Sequence, residues 1–250
     1  MSKYFWLSAV VVAIFITMAR AEDAPAGVAS VAVAANFTAP AKLIAADFKA
    51  ATGDTVLLSF GSSGQFVTQI VNGAPYDVLL SADIDHVRQA QKAGVTVPGS
   101  AFPYATGHLV LWSENPALVD DQGRILARGN FAHVAIADPR LAPYGLAAEQ
   151  FLKNQGLWAA VAPKLVTGTS IAQTYNFIKT GNASLGFVAR SQVIGKKEGS
   201  EWEIPDTTLA PIVQQAVLLK HGADNDTARK FLAFLKSPQA LAVILKFGYN

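Results

Sequence analysis

Four short segments of this 250-residue chain place small residues beside hydrogen-bond donors: Ala35-Asn36-Phe37-Thr38, Gly61-Ser62-Ser63-Gly64, Pro143-Tyr144-Gly145 and Gly168-Thr169-Ser170-Ile171. Each follows an apolar run of strand length and opens an amphipathic stretch of helix length. The first turn of a helix leaves backbone N–H groups without intrahelical acceptors and carries partial positive charge, so it attracts anions. Ser and Thr hydroxyls and the Asn amide add donors without adding charge. The chemistry these segments suit is the capture of a small anion by neutral donors. Each charge-assisted bond contributes about 1.5 to 3 kcal/mol, so about five to seven would support micromolar or tighter binding after association costs. Taken singly, Ser, Asn and Gly at such junctions are ordinary caps and turn residues. Four donor-rich junctions in one chain point to a shared site.

The lack of charge narrows the anion. Phosphate near neutral pH keeps a proton that needs an acceptor, and neither Asn36 nor the Gly61 to Gly64 loop supplies one. Fully ionised tetrahedral dianions fit better. Asp83 and Asp138 fall at strand ends near the same surface, where a cap or turn role suits them. Bond-breaking chemistry has little support. Gly61-Ser62-Ser63-Gly64 resembles a nucleophile elbow only superficially, because that pattern needs Gly where Gln65 stands. The histidines His86, His108, His133 and His221 are scattered, and no H-E-x-x-H, P-loop or G-x-G-x-x-G occurs. The chain has no cysteine, which removes disulfides, thiolate zinc sites, iron–sulfur clusters, cysteine nucleophiles and a cysteine-linked lipid anchor. No catalytic residue, cofactor or direct cation ligand is expected. A secreted serine hydrolase using Ser63 is the alternative from another class.

The elements that must position these junctions alternate as β and α. Strands are predicted over 28–35, 56–60 and 76–81, with helices over 40–51, 65–72 and 85–93. A strand over 107–112 reads as a crossover, after which the same grammar restarts with strands over 133–137, 164–167 and 185–188 and helices over 144–155 and 171–179. The polar segment 190–206 reads as loop or edge structure. A strand over 212–220 leads to helical stretches in 226–247, interrupted at Ser237-Pro238. The run VLLSF, Gly61-Ser62-Ser63, Gly73 and YDVLL lies parallel to KLVT, Gly168-Thr169-Ser170, Gly181 and SLGFV, a weak internal similarity that suggests two lobes of like construction. The predicted architecture is α/β: 22–106 with 211–250 form lobe I, 107–210 form lobe II, and two crossing strands join them across a cleft.

Residues 1–21 read as a secretory signal peptide, with Lys3, the uncharged apolar run 4–18 and Ala19-Arg20-Ala21 as cleavage site. The formal charge of +2 comes from 20 basic and 18 acidic residues, and the leader holds two of the basic ones and no acid. The mature chain is then neutral, which gives no support for nucleic-acid or membrane-surface binding. A periplasmic, unanchored protein is expected.

At these same junctions the sequence resembles the periplasmic molybdate-binding proteins of molybdate ABC transporters. The stretches that carry the resemblance are VAVAANFTAP (31–40), LSFGSSGQF (58–66), GAPYDVLLSAD (73–83), GHLVLWS (107–113), ADPRLAPYG (137–145) and SLGFVARSQV (184–193). The resemblance implies a type II periplasmic binding protein fold, each lobe a mostly parallel sheet flanked by helices, closing on molybdate or tungstate for delivery to a membrane ABC permease. It implies a monomer. By position it puts Asn36 on the anion through its side-chain amide and backbone, Ser63 through its hydroxyl and N–H, and Tyr144 and Ile171 through backbone N–H groups, with Ala35 as a further contact. Many relatives have a ligand-binding Tyr where this chain has Ala189, next to Arg190; a branch without it is expected to use the Tyr144 hydroxyl instead. Another tetrahedral oxyanion such as sulfate is the alternative within the class.

Overall fold

The computed structural model describes residues 26–250. The expected signal peptide, residues 1–21, lies outside the described residues. The first half of the chain runs β1 (Val28–Ala34), α1 (Thr38–Thr52), β2 (Thr55–Gly61), α2 (Ser63–Val71), β3 (Val78–Ser81), α3 (Ile84–Lys92), β4 (Phe102–Gly107) and β5 (Leu109–Ser113). It continues through α4 (Ile125–Arg128), β6 (Val134–Ala137), α5 (Pro143–Asn154), α6 (Trp158–Val161), β7 (Leu165–Gly168), α7 (Ile171–Lys179) and β8 (Leu185–Ala189). The last elements are α8 (Arg190–Val193), β9 (Ser200–Glu203), β10 (Ile212–Leu218), α9 (Asp226–Phe234) and α10 (Pro238–Lys246).

These form two five-stranded sheets, ordered β2-β1-β3-β10-β4 and β7-β6-β8-β5-β9. In each, the first three strands are parallel and the last two pairings antiparallel. The weak internal similarity corresponds to this shared topology, with β2 matching β7 and β3 matching β8. Strands β3, β6 and β8 are buried throughout because helices cover both faces of each sheet, which is why they read as unbroken apolar runs. Helix α1 turns Ala41, Ile44 and Phe48 inward at helical spacing and ends at Gly53, whose φ of 77° closes the last turn onto the Lys49 carbonyl. Helix α5 starts with Pro143, whose fixed φ and missing N–H suit the first helical position.

Two places depart from the sequence expectation. The predicted crossover over 107–112 is two strands, β4 and β5, meeting at His108. β4 was hidden by Pro103, which cannot donate to a ladder and is tolerated here because β4 is the edge of its sheet. The segment 190–206 holds the edge strand β9, as loop or edge structure requires, and departs only in the one-turn helix α8. Between the sheets the chain crosses at Gly107-His108 and returns along the segment that leads into β10, and Gly107 is the register partner of Ile212.

Candidate functional site

All four donor-rich junctions reach one place. A small cavity between the sheets, about 10 Å³, is lined by Ala34, Ala35 and Asn36 at the end of β1, by Gly61, Ser62 and Ser63 at the end of β2, by Ala82 after β3, by Ala142, Pro143 and Tyr144 at the start of α5, and by Ile171 at the start of α7. It lies outside the carboxyl ends of parallel strands, where open α/β sheets hold ligands. The structure thus brings together Ala35, Asn36, Ser63, Tyr144 and Ile171, all buried. No residue that lines it is ionisable at neutral pH.

The first turns of the helices identify the available donors. In α5, Pro143 has no N–H and both Gly145 and Leu146 donate to the Ala142 carbonyl, which leaves the N–H of Tyr144. In α2, Gly64 donates to Leu141 and Phe66 to Ser62, which leaves those of Ser63 and Gln65. In α7, Gln173 donates to the capping Ser170 hydroxyl and Thr174 to its carbonyl, which leaves Ile171 and Ala172. The Ser63 hydroxyl accepts the Ala82 N–H at 3.0 Å, and its own proton is free to be donated. The Ser62 hydroxyl is buried and has no hydrogen-bond partner. Ser62 belongs to a segment singled out by sequence, yet its own role there was missed, since Ser63 matched the family position.

Asn36 differs from expectation. Its side-chain amide donates to Gln214 Oε1 at 2.9 Å and to the Tyr249 hydroxyl at 3.1 Å, so both amide hydrogens are held by protein and the side chain acts as a brace. Around it runs a buried network. Tyr104 donates to Gln214 Oε1 at 2.9 Å, Gln214 Nε2 lies 3.4 Å from the Tyr144 hydroxyl, and Ser191 Oγ donates to the Asn36 carbonyl at 2.7 Å. The Tyr144 hydroxyl also abuts the crossing strand, where a Cβ on Gly107 would stand 1.9 Å from it. Burial pushes the Tyr104 and Tyr144 hydroxyls well above the ordinary phenol range and that of Tyr249 up to about 12, so all three are protonated donors at neutral pH. Gln214, Tyr104, Ser191 and Tyr249 were not anticipated. Gln214 carried a faint signal, as its alternation with Ile212 and Ala216 puts an amide on an inward face.

The charged groups near the cavity are occupied elsewhere. Asp83 caps α3 by accepting the His86 N–H at 3.1 Å and also pairs with that ring. Asp138 accepts from the Arg140 N–H and guanidinium, which hold its carboxyl below the usual range. Arg190 pairs with Glu203, and Ala189 is buried within the core of its sheet. The Ser63 hydroxyl has the Ala82 N–H as its partner rather than a histidine.

Comparison with known proteins agrees with this geometry. The molybdate-binding protein ModA of Rhodobacter capsulatus is 54% identical over 237 residues, covering 95% of this chain and 94% of that protein. The molybdate-binding protein ModA of Azotobacter vinelandii is 51% identical, covering 91% of each. Among solved structures, the Azotobacter vinelandii periplasmic molybdate-binding protein superposes with a TM-score of 0.85 at 42% identity, covering 89% of this chain and 98% of that one. These relatives are named as binding proteins, not as enzymes, and among the described residues no helix is long and apolar enough to cross a membrane. The bacterial extracellular solute-binding protein family matches residues 29–250, and the chain belongs to it.

Proposed function

We propose that this chain captures molybdate or tungstate outside the cytoplasm and hands it to a membrane ABC permease. The observation that carries the reading is the uncharged cavity between the two sheets, lined by four donor-bearing junctions. Asn36, Ser63, Tyr144 and Ile171 supply backbone N–H groups, Ser63 adds its hydroxyl, and Ala35 contributes contact. No carboxylate lines the cavity, so an anion that keeps a proton finds no charged acceptor for it there. Sulfate is smaller than molybdate, and donors fixed at the wider spacing reach its oxygens poorly.

Residues 22–106 with 211–250, and residues 107–210, act as two bodies that close about the crossings at Gly107 and Pro211. Closure completes the donor set, and the closed form is what a permease would recognise. In this reading the protein is a periplasmic monomer with a cleaved leader at 1–21, breaks no bond, needs no cofactor and binds no nucleic acid. The test is isothermal titration and thermal shift with molybdate, tungstate, sulfate and phosphate. Molybdate and tungstate are expected to raise Tm and bind at micromolar or tighter levels, with sulfate and phosphate far weaker. Equal stabilisation by sulfate would overturn the molybdate assignment and leave that of a general oxyanion carrier. Ester hydrolysis lost in Ser63→Ala would instead favour the hydrolase.

A further inference from the structure

We infer that Tyr249, the penultimate residue, is a positioning residue for the anion site, acting through Asn36 from a C-terminal tail that clasps both lobes. The inference rests on the oxyanion-binding reading above.

After α10 the chain turns at Gly248, where φ is 73° and a Cβ would stand 2.9 Å from the Ile194 side chain and 3.1 Å from that of Arg190. Ile194 and Arg190 belong to the second lobe, so the tail lies directly against it, and the positive φ favours glycine at the turn. Asn250 then pairs with Thr106 through both backbone bonds, at 2.7 and 3.0 Å, on the free edge of β4 and one residue from the crossing at Gly107. Between these anchors Tyr249 is buried, with its ring edge-on to Phe37 at 5.4 Å.

Its hydroxyl meets Asn36 twice. It donates to the Asn36 carbonyl at 2.8 Å and accepts from the Asn36 amide at 3.1 Å. It also stands 3.0 Å from Ser191 Oγ, which reaches the same carbonyl from the second lobe. Together with Gln214, three parts of the chain that are distant in sequence therefore grip one residue that lines the cavity. Opening the lobes breaks the Ser191 contacts with the Asn36 carbonyl and the Tyr249 hydroxyl, whereas the two Tyr249–Asn36 bonds stay within the first lobe and its tail. Tyr249 thus keeps the Asn36 turn aimed while the lobes move, and the Ser191 contact adds to closure when they meet.

Tyr249→Phe keeps the ring and its packing and removes only the hydroxyl. It is expected to weaken molybdate binding about ten-fold, chiefly through faster dissociation, since one buried hydrogen bond network member is lost. Tyr249→Phe and Ser191→Ala together are expected to cost less than the product of their separate effects. Hydrogen exchange in the ligand-free protein supplies a readout that does not depend on the anion: amides 35–38 are expected to exchange faster in Tyr249→Phe, with the sheet of the second lobe unchanged. Unaltered exchange at 35–38 overturns the inference whether or not molybdate binds. Wild-type failure to bind molybdate strikes the functional reading alone, and wild-type affinity in Tyr249→Phe strikes the positioning role alone.

Discussion

The backbone N–H of Gly64 donates to the carbonyl of Leu141 at 2.9 Å, joining the first turn of α2 in one lobe to the loop before α5 in the other. A Cβ on Gly64 would stand 2.9 Å from His86 Nε2 and 3.0 Å from Leu141 Cα, so the lobes meet over a residue that has no room for a side chain. In the proposed closure of the two lobes, this bond is made as the cleft shuts.

Gly64→Ala therefore separates folding from closure. Alanine favours a helix over glycine by about 1 kcal/mol, so α2 itself is not harmed. The methyl obstructs Leu141 on one side and the His86 ring on the other; keeping the lobes apart relieves the first, and a shift of the ring within its own lobe relieves the second. Molybdate affinity is expected to fall at least about ten-fold, with the ligand-free Tm held or raised and a larger radius of gyration by small-angle scattering in the presence of anion. An unchanged affinity would mean that His86 and the Leu141 loop yield without cost.

The two serines at the β2–α2 junction should behave differently. Ser63→Ala removes the hydroxyl proposed to reach the anion and the acceptor of the Ala82 N–H, so it is expected to weaken oxyanion binding by about 1 to 3 kcal/mol and to lower the ligand-free Tm slightly. Ser62→Ala removes a buried hydroxyl with no protein partner, so the ligand-free protein should keep or gain stability. Titration then decides its role, because a loss of affinity without loss of Tm assigns the Ser62 hydroxyl to the anion.

Much of this site was legible because its parts are local. A strand followed by Gly-Ser-Ser or Pro-Tyr-Gly announces a helix start from adjacent residues, and that is enough to find the junctions, while the family resemblance singled out Ser63 and Tyr144 within them. What braces the site is not local. Gln214 and Tyr249 reach Asn36 from 178 and 213 positions away, and no spacing rule links an isolated tyrosine near a terminus to an asparagine near the first strand. The tertiary fold also decided what Asn36 does. From sequence its amide was a donor for the ligand, but Gln214 Oε1 and the Tyr249 hydroxyl take both hydrogens, a competition that appears only once β10 and the tail are in place. Strand β4 escaped notice for a chemical reason of its own, since Pro103 argues against a strand until the strand is known to be an edge.

Gln214 is the shared acceptor of that network, and it is fully buried. Gln214→Leu leaves the Asn36 amide without one acceptor and the Tyr104 hydroxyl without its strongest one. Buried donors left unpaired cost about 1 to 3 kcal/mol each. Urea unfolding is expected to show a loss of about 2 to 4 kcal/mol, with anion affinity reduced as well, because Asn36 loses its brace. A loss below about 0.5 kcal/mol would show that the donors find other partners.

Alkaline titration tests the three buried tyrosines together. Burial raises Tyr104 and Tyr144 well above their ordinary value of 10.0 and Tyr249 to about 12, whereas in the unfolded chain all three ionise near 10.0. The folded state then holds protons that the unfolded state releases, so stability is fully present below pH 10 and is lost as pH rises through 12. Each tyrosine contributes a slope of about 1.4 kcal/mol per pH unit in that window. Urea unfolding from pH 9 to 12 is expected to show a steep fall in stability that Tyr249→Phe makes shallower, since one ionising group is gone. Between pH 7 and 9 no such fall is expected, because the hydroxyls remain protonated in both states. A profile for Tyr249→Phe that parallels wild type through pH 12 would show that its hydroxyl ionises without resistance, and that the ring is not buried as the structure describes.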